Sequence, residues 1–198
     1  GISSMLINLG SLAMAHDDWA KAKDYAEQGV IKCEEIGHKL FLSYAINNMG
    51  TALYELGNYR KAKHYFELSI EIEQELGNKQ GESDSLVNLS LAAQQMLETE
   101  QAFTYLEQAF EIKQELKDKL GIATVYFYFG DLNIYLKAYK TALLNFHKNI
   151  EILNALDFQH KILPQYSPKS YFDQREKWTI DVIKESRHLV LSSNTALG

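Results

Sequence analysis

The chain has 198 residues, of which 46% are hydrophobic and 23% are charged, and its formal net charge is -6. This composition is that of a globular protein, and it excludes a chain that is disordered over most of its length. The acidic surplus makes the phosphate backbone of a nucleic acid an unfavourable partner.

The sequence repeats itself every 40 residues over its first four units. Asn, Leu and Gly, or close substitutes, return at this spacing, and an alanine returns in the same register. A fixed period of this size predicts a solenoid in which each unit buries its apolar face on its neighbours. The aligned segments are Asn8-Leu9-Gly10, Asn48-Met49-Gly50, Asn88-Leu89-Ser90 and Tyr128-Phe129-Gly130, with Ala22, Ala62, Ala102 and Ala142 as the alanines.

Each unit is predicted to be a hairpin of two helices, because helical periodicity is interrupted once within it. In the second unit, Gly57 is placed to end the first helix and Gly77 the second, since a residue just past a helix end commonly has a positive φ. The third unit has Leu97 where the turn glycine stands, so its turn is the least defined. The four units cover about residues 3–38, 39–78, 79–118 and 119–158.

After the fourth unit the repeat pattern ends. Pro164 and Pro168 cannot lie inside a helix, so residues 159–170 are predicted to form a linker. Residues 171–198 regain a helical pattern, which we interpret as a helix that caps the last hairpin. The alternatives are a connector to a following domain and a helix that pairs two protomers. Because no comparable cap precedes the first hairpin, a homodimer through either end is also expected to be possible.

Six residues of the second unit carry a resemblance to a known family. They match the N-L-G, G-D-Y, A and F positions of the tetratricopeptide repeat, and they are Asn48, Gly50, Gly57, Tyr59, Ala62 and Phe66. With its 40-residue period, the chain resembles kinesin light chains, Leu-Gly-Asn-type polarity adaptors and peptide-sensing bacterial regulators. The resemblance implies an all-α fold, a right-handed superhelical α-solenoid whose first helices line a concave groove.

The resemblance also implies which residues face this groove. A carboxamide both donates and accepts hydrogen bonds, so a row of asparagines can pair with the main chain of an extended peptide. In the alternative interpretation these amides only bridge adjacent hairpins, and the tyrosines belong to the core. The groove residues are Asn8, Asn47, Asn48, Thr51, Tyr54, Glu55, Asn88, Leu91, Gln94, Gln95, Tyr128, Asp131 and Tyr135.

The predicted first helices, about residues 3–16, 43–56, 83–97 and 123–136, contain no Lys or Arg. The groove therefore lacks the cationic clamp with which some tetratricopeptide domains hold a terminal carboxylate. We expect it to prefer a neutral, apolar or basic protein segment, and not a nucleic acid. The many glutamates of the second helices are interpreted as a solvated face.

No motif of catalysis is present. The six histidines lack metal-ligand spacing, and phosphate-binding loops and nucleophile elbows are missing, so we expect no enzyme, no metal and no cofactor. A single cysteine, Cys33, short apolar runs and the lack of a signal peptide predict a cytoplasmic protein without a membrane span.

The leading functional prediction is a protein-interaction scaffold or adaptor that binds an extended segment in the concave groove. One alternative is a peptide-responsive sensor within a larger bacterial signalling or transcription-regulating protein. The other alternative is a structural array that associates with itself.

Overall fold

The computed structural model describes residues 1–156, and this part of the chain consists of helices joined by short turns. No strand occurs within these residues, so the predicted all-α fold is confirmed. The helices are α1 (Ile2–Ala15), α2 (Trp19–Ile36), α3 (Lys39–Glu55), α4 (Tyr59–Leu76), α5 (Lys79–Gln95), α6 (Thr99–Glu115), α7 (Lys119–Tyr135) and α8 (Tyr139–Ala155). The predicted linker at 159–170 and the helix at 171–198 lie outside the described residues.

The helices belong to two compact units, each of which can contain several repeats: Gly1–Asp118, and a second that begins at Lys119. We call these the first unit and the second unit, and we call each single repeat a hairpin. In the first unit, α1 packs on α2, α3 on α4 and α5 on α6 as successive hairpins, while α2 also packs on α3 and α4 on α5. The first helices of these hairpins, α1, α3 and α5, contact one another in this order. In the second unit, α7 packs on α8.

Glycines end the helices of the second hairpin as predicted. Gly57 follows α3 with a φ of 78°, and Gly77 ends α4 with a φ of 66°. Both residues are in the left-handed region, where a side chain is strained and glycine is not. The backbone N–H of Gly57 donates to the carbonyl oxygen of Tyr54 at 2.9 Å, so the turn closes directly onto the last turn of α3.

The first helices begin earlier than the sequence predicts. α3 begins at Lys39 because the Nδ1 atom of His38 accepts a hydrogen bond from the N–H of Phe41, and α5 begins at Lys79 because the Asn78 side chain accepts from Gly81. The prediction that the first helices contain no Lys or Arg is therefore wrong for α3, α5 and α7, each of which begins with a lysine. Beyond that first residue the four helices contain neither cation.

The turn of the third hairpin has the same geometry without a glycine. Leu97 has a φ of 64°, and its N–H donates to the carbonyl oxygen of Gln94 at 3.0 Å, as Gly57 does to Tyr54. Its side chain is 71% exposed, so little burial offsets the strain of the left-handed backbone.

Because of this strain, Leu97→Gly is expected to raise the free energy of unfolding by about 1 kcal/mol. The matched control is Leu116→Gly, which places glycine at an ordinary φ of -73° and is expected to lower stability by about 0.5–1 kcal/mol. Urea denaturation of the two variants measures both values. A loss of stability in Leu97→Gly would show that the left-handed turn is not the source of strain.

The core of the second hairpin forms where small and large residues of its two helices meet. Ala62 is fully buried and Phe66 is 1% exposed, and both pack in one cluster with Met49 and Leu53. The ring of Phe66 lies directly over Gly50. The missing side chain of Gly50 thus leaves the space that this ring fills.

Candidate peptide-binding face

Ten of the predicted groove residues lie in the first unit, on the three first helices that contact one another. We call the surface made by these residues the peptide face. Its members are Asn8 on α1, then Asn47, Asn48, Thr51, Tyr54 and Glu55 on α3, and Asn88, Leu91, Gln94 and Gln95 on α5.

The residues of the peptide face differ in their solvent exposure. Asn8, Glu55 and Gln95 are exposed. Asn88 is half-buried, whereas Gln94 is buried at 9% exposure. Asn47, Asn48, Thr51, Tyr54 and Leu91 are half-buried as well. A ligand on this face would therefore meet the exposed side chains first and the half-buried amides beneath them.

Two of the predicted amides pair with each other across α3 and α5. The Nδ2 atom of Asn88 donates to Oδ1 of Asn47 at 3.1 Å, and Nδ2 of Asn47 donates to the hydroxyl of Ser85 at 2.7 Å. The bridging role that was the alternative interpretation thus applies to both Asn47 and the Nδ2 group of Asn88. The side-chain Oδ1 atom of Asn88 accepts no hydrogen bond from residues 1–156, so this acceptor is left for another partner.

The amide pair is the outer end of a chain of hydrogen bonds that we call the polar seam. The Ser85 hydroxyl donates to that of Ser69 at 3.1 Å, and the Ser69 hydroxyl donates to the backbone carbonyl of Ser43 at 3.3 Å. The Ser43 hydroxyl lies 2.6 Å from Oε1 of Glu73. The seam consists of Asn88, Asn47, Ser85, Ser69, Ser43 and Glu73, and it fixes how the second and third hairpins fit together.

The sequence analysis missed the buried members of this seam, and the repeat does not mark them. Ser3, Ser43 and Ser83 occupy one position of the 40-residue period, and all three are buried. Only Ser43 belongs to the seam, because the Ser83 hydroxyl donates to the carbonyl of Gln80 in its own helix and the Ser3 hydroxyl has no partner among residues 1–156.

Another position of the period is buried in every hairpin of the first unit but changes its chemistry. It is occupied by Cys33 on α2, Glu73 on α4 and Lys113 on α6, which are at most 3% exposed. The ammonium group of Lys113 is compensated by Asp84 at 2.6 Å and Asp118 at 3.1 Å. Glu73 has no such counter-charge among residues 1–156, and its Oε1 atom has the Ser43 hydroxyl as its hydrogen-bond partner.

The side chains of Asn48 and Tyr54 also pack against neighbouring helices. The Nδ2 atom of Asn48 is buried and has no hydrogen-bond partner among residues 1–156, and it lies 3.7 Å from the place of a Cβ atom at Gly10 on α1. The ring of Tyr54 is 5.4 Å from that of Tyr59 and packs against the core cluster of the second hairpin. These two side chains contribute to packing between helices as well as to the peptide face.

The ten residues of the peptide face include one acidic side chain, that of Glu55, and no Lys or Arg. Partial burial, and then the nearby charge of Asp17, raise the pKa of the Glu55 carboxyl group above its usual value. The lysines that begin α3 and α5 are engaged elsewhere, because Lys39 pairs with Glu75 at 2.7 Å and Lys79 with Glu82 at 2.9 Å.

The remaining predicted residues, Tyr128, Asp131 and Tyr135, lie on α7 in the second unit. Tyr128 and Asp131 are half-buried, and Tyr135 is 47% exposed. At the N-terminal hairpin, where the sequence predicts a homodimer contact, α1 exposes the apolar side chains of Ile2, Met5 and Leu12. That contact stays a prediction.

Among residues 1–156, His, Cys, Asp and Glu side chains nowhere gather in a group of three that can hold a metal ion. None of the described helices combines the length and the apolar character that crossing a membrane requires.

Solved structures with the same fold have low sequence identity to this chain. BtubC (BKLC) from P. vanneervenii matches 98% of this chain and 82% of its own, with a TM-score of 0.69 and 16% identity. A putative kinesin light chain from Podosopora anserina matches over 98% of both chains, with a TM-score of 0.64 and 13% identity. The Rap conjugation gene regulator of plasmid pLS20, solved with the Phr* peptide, matches over 74% of this chain and 41% of its own, with a TM-score of 0.67 and 15% identity.

Sequence comparison agrees with the fold. No curated protein sequence matches the chain. Family models for the tetratricopeptide repeat match residues 1–75 and residues 83–116, which together make up more than half of the sequence. These segments fall in the three hairpins of the first unit, whose paired helices the structure shows. The chain belongs to the tetratricopeptide repeat family.

Proposed function

We propose that this chain is a protein-interaction module that binds an extended peptide segment on its peptide face. The observation that carries this proposal is the Asn88 carboxamide, which Asn47 holds in place and whose carbonyl oxygen has no partner within residues 1–156. A backbone N–H of a bound peptide is the group that such an acceptor takes.

The polar seam supports this proposal because it orients the amide before any ligand arrives. Asn47 is fixed by Ser85, and Asn88 is fixed by Asn47, so neither side chain has to be ordered on binding. Groups that are already held in the bound geometry lose less conformational entropy, which raises affinity. Exposed Asn8 and Gln95 offer further amides on neighbouring helices.

The charge of the peptide face determines which segments it accepts. With Glu55 exposed and no Lys or Arg beyond the first residue of each first helix, an acidic segment would meet repulsion without compensation. The preferred partner is a neutral, apolar or basic segment. The similar Rap regulator, which was solved with the Phr* peptide, supports a peptide as ligand for this fold. A sensor of signalling peptides would use the same face, and it differs from an adaptor only in the domains to which it is attached.

The test begins with a random phage-displayed peptide library, from which peptides that bind the whole chain are selected. The affinities of the selected peptides are then measured by fluorescence polarisation. The double variant Asn88→Ala with Gln95→Ala is expected to weaken binding at least about fivefold, since each lost hydrogen bond is worth about 0.5–1.5 kcal/mol. Gln95→Ala alone leaves the polar seam intact and should weaken binding about twofold.

The matched control is Asn58→Ala with Gln28→Ala, which removes one exposed Asn and one exposed Gln away from the peptide face. Its affinity is expected to equal that of the wild type. Equal affinities in the control and in the Asn88→Ala, Gln95→Ala variant would place the peptide somewhere other than this face.

A further inference from the structure

A cleft that the sequence analysis missed lies between the second helices of the second and third hairpins. We call it the α4–α6 cleft. It has a volume of about 540 Å³ and an apolar floor that contains Ile70 of α4, Leu86 and Leu89 of α5, and Ile112 of α6. This volume is within the range of about 300–1,000 Å³ that is typical of ligand sites in proteins.

The walls of the cleft are acidic. Glu67 and Glu71 line it on α4, and Glu111 and Glu115 line it on α6. None of these four carboxylates forms an ion pair with another residue in the described range 1–156. Within each helix the two glutamates are four residues apart, a spacing at which like charges repel and destabilise a helix. Repulsion between these carboxylates raises the free energy of the chain when the cleft is empty, and a bound cationic partner would relieve it.

A lysine at the edge of the cleft acts on one of the four wall carboxylates and not on the other three. Lys79 lines the cleft but pairs with Glu82 at 2.9 Å, and Gln74 donates to the other carboxylate oxygen of Glu82 at 2.8 Å. The hydrogen bond and charge of Glu82, and to a smaller extent the charge of Glu115, raise the pKa of Lys79. Lys79 therefore acts on one wall carboxylate, Glu115, and Glu67, Glu71 and Glu111 are not among the groups that shift its pKa.

The side chains that fit such a cleft are those of arginine and lysine. Their aliphatic stems can cover the apolar floor while the charged heads reach the carboxylates of the walls. Glutamates four residues apart on a helix are separated by about 6 Å along its axis. An extended peptide places every second side chain about 6.4–6.8 Å apart, so cations at alternate positions match the spacing of the acids.

From this match we propose that the α4–α6 cleft binds an extended segment of a partner protein that carries Arg or Lys at alternate positions. This site is separate from the peptide face and requires none of its amides. A protein that binds one segment on each surface can hold two partners, or two parts of one partner, at the same time.

The probe for this site is a fluorescently labelled eight-residue peptide of alternating arginine and alanine. The control peptide has glutamine in place of each arginine. Fluorescence anisotropy with the whole chain is expected to show binding of the arginine peptide alone, and at 1 M salt this binding should be lost because exposed charges are then screened beyond about 3 Å. Equal binding of both peptides would overturn the proposal.

Two matched variants locate the binding. Glu71→Gln with Glu111→Gln removes one wall carboxylate from each helix and is expected to weaken binding of the arginine peptide at least about fivefold. Glu34→Gln with Glu107→Gln removes the same net charge from exposed positions outside the cleft and should change affinity less than about twofold. Equal losses in the two variants would show that only net charge matters, and would contradict the proposed site.

A third variant separates this proposal from the proposed function. Asn88→Ala with Gln95→Ala alters the peptide face and leaves the wall carboxylates in place, so the arginine peptide should bind it as tightly as it binds the wild type. A loss of arginine-peptide affinity in this variant, with full affinity in Glu71→Gln with Glu111→Gln, would assign the peptide to the peptide face and overturn the cleft. The experiments can therefore contradict the proposed cleft site without contradicting the proposed peptide face, and the reverse.

Discussion

Gly50→Ala is expected to lower the free energy of unfolding by about 1–3 kcal/mol, although alanine usually stabilises a helix relative to glycine. A Cβ atom at this position would lie 2.6 Å from Cε1 and 2.7 Å from Cδ1 of Phe66. Because the Phe66 ring is 1% exposed and packed on all sides, it cannot move away without disturbing the core. The cost of overpacking therefore exceeds the gain in helix propensity.

The same substitution one repeat earlier supplies the control. At Gly10 the nearest atom to an added Cβ is 3.7 Å away, which is ordinary van der Waals contact. The residue in register with Phe66 is Ala26 in the first hairpin, and it leaves this space open. Gly10→Ala is expected to raise the free energy of unfolding by about 0.5–1 kcal/mol.

Urea denaturation of both variants measures the difference. Adding Phe66→Leu to Gly50→Ala should recover part of the lost stability, because leucine lacks the ring edge that meets the new methyl group. If Gly50→Ala instead gained as much stability as Gly10→Ala, the ring of Phe66 would not lie over this glycine.

Ser43→Ala is expected to lower the free energy of unfolding by about 1–3 kcal/mol, the cost of leaving a buried polar group unsatisfied. Glu73 is 1% exposed, and the Ser43 hydroxyl at 2.6 Å is the partner of its Oε1 atom. The other oxygen, Oε2, has no hydrogen-bond partner among the described residues. Without the hydroxyl, both oxygens of a fully buried carboxyl group would be unpaired.

A double-mutant cycle tests this explanation. In a background that carries Glu73→Met, which has no carboxyl group, Ser43→Ala should cost much less than in the wild type. Ser11→Ala, at an exposed position of α1, is the control and should change stability by less than about 0.5 kcal/mol. Additive effects of Ser43→Ala and Glu73→Met would mean that the two side chains do not interact.

The sequence predicts the hairpins well because their ends are marked by residues with a local effect. Gly57 and Gly77 favour a left-handed backbone wherever they stand, and the structure has them there. Leu97 adopts the same conformation although its own propensity opposes it, since the packing of α5 on α6 requires the turn. The early start of α3 was missed because His38 is an uncommon capping residue.

The functional surfaces are harder to predict because they depend on how two helices are rotated against each other. Asn47 and Asn88 are 41 residues apart, and their contact follows from the packing of α3 beside α5. The glutamates of α4 and α6 are predicted to form a solvated face, and this prediction is wrong for Glu73, which is 1% exposed. Glu71 and Glu111 are exposed as predicted. That Glu71 and Glu111 face one cleft follows only when both helices are placed.

The polar seam, and not the buried residue that changes along the period, gives the second and third hairpins a fixed order. Cys33, Glu73 and Lys113 stand at one position of the period, yet each is accommodated by a different set of neighbours. Exchanging the second and third hairpins would carry Asp84 and Asp118 along with Lys113, so that ion pair would survive. It would separate Asn47 from Ser85 and Asn88, whose hydrogen bonds join the two hairpins in their present order. Although the hairpins look alike in outline, they are not interchangeable parts, because each presents a different polar edge to its neighbour.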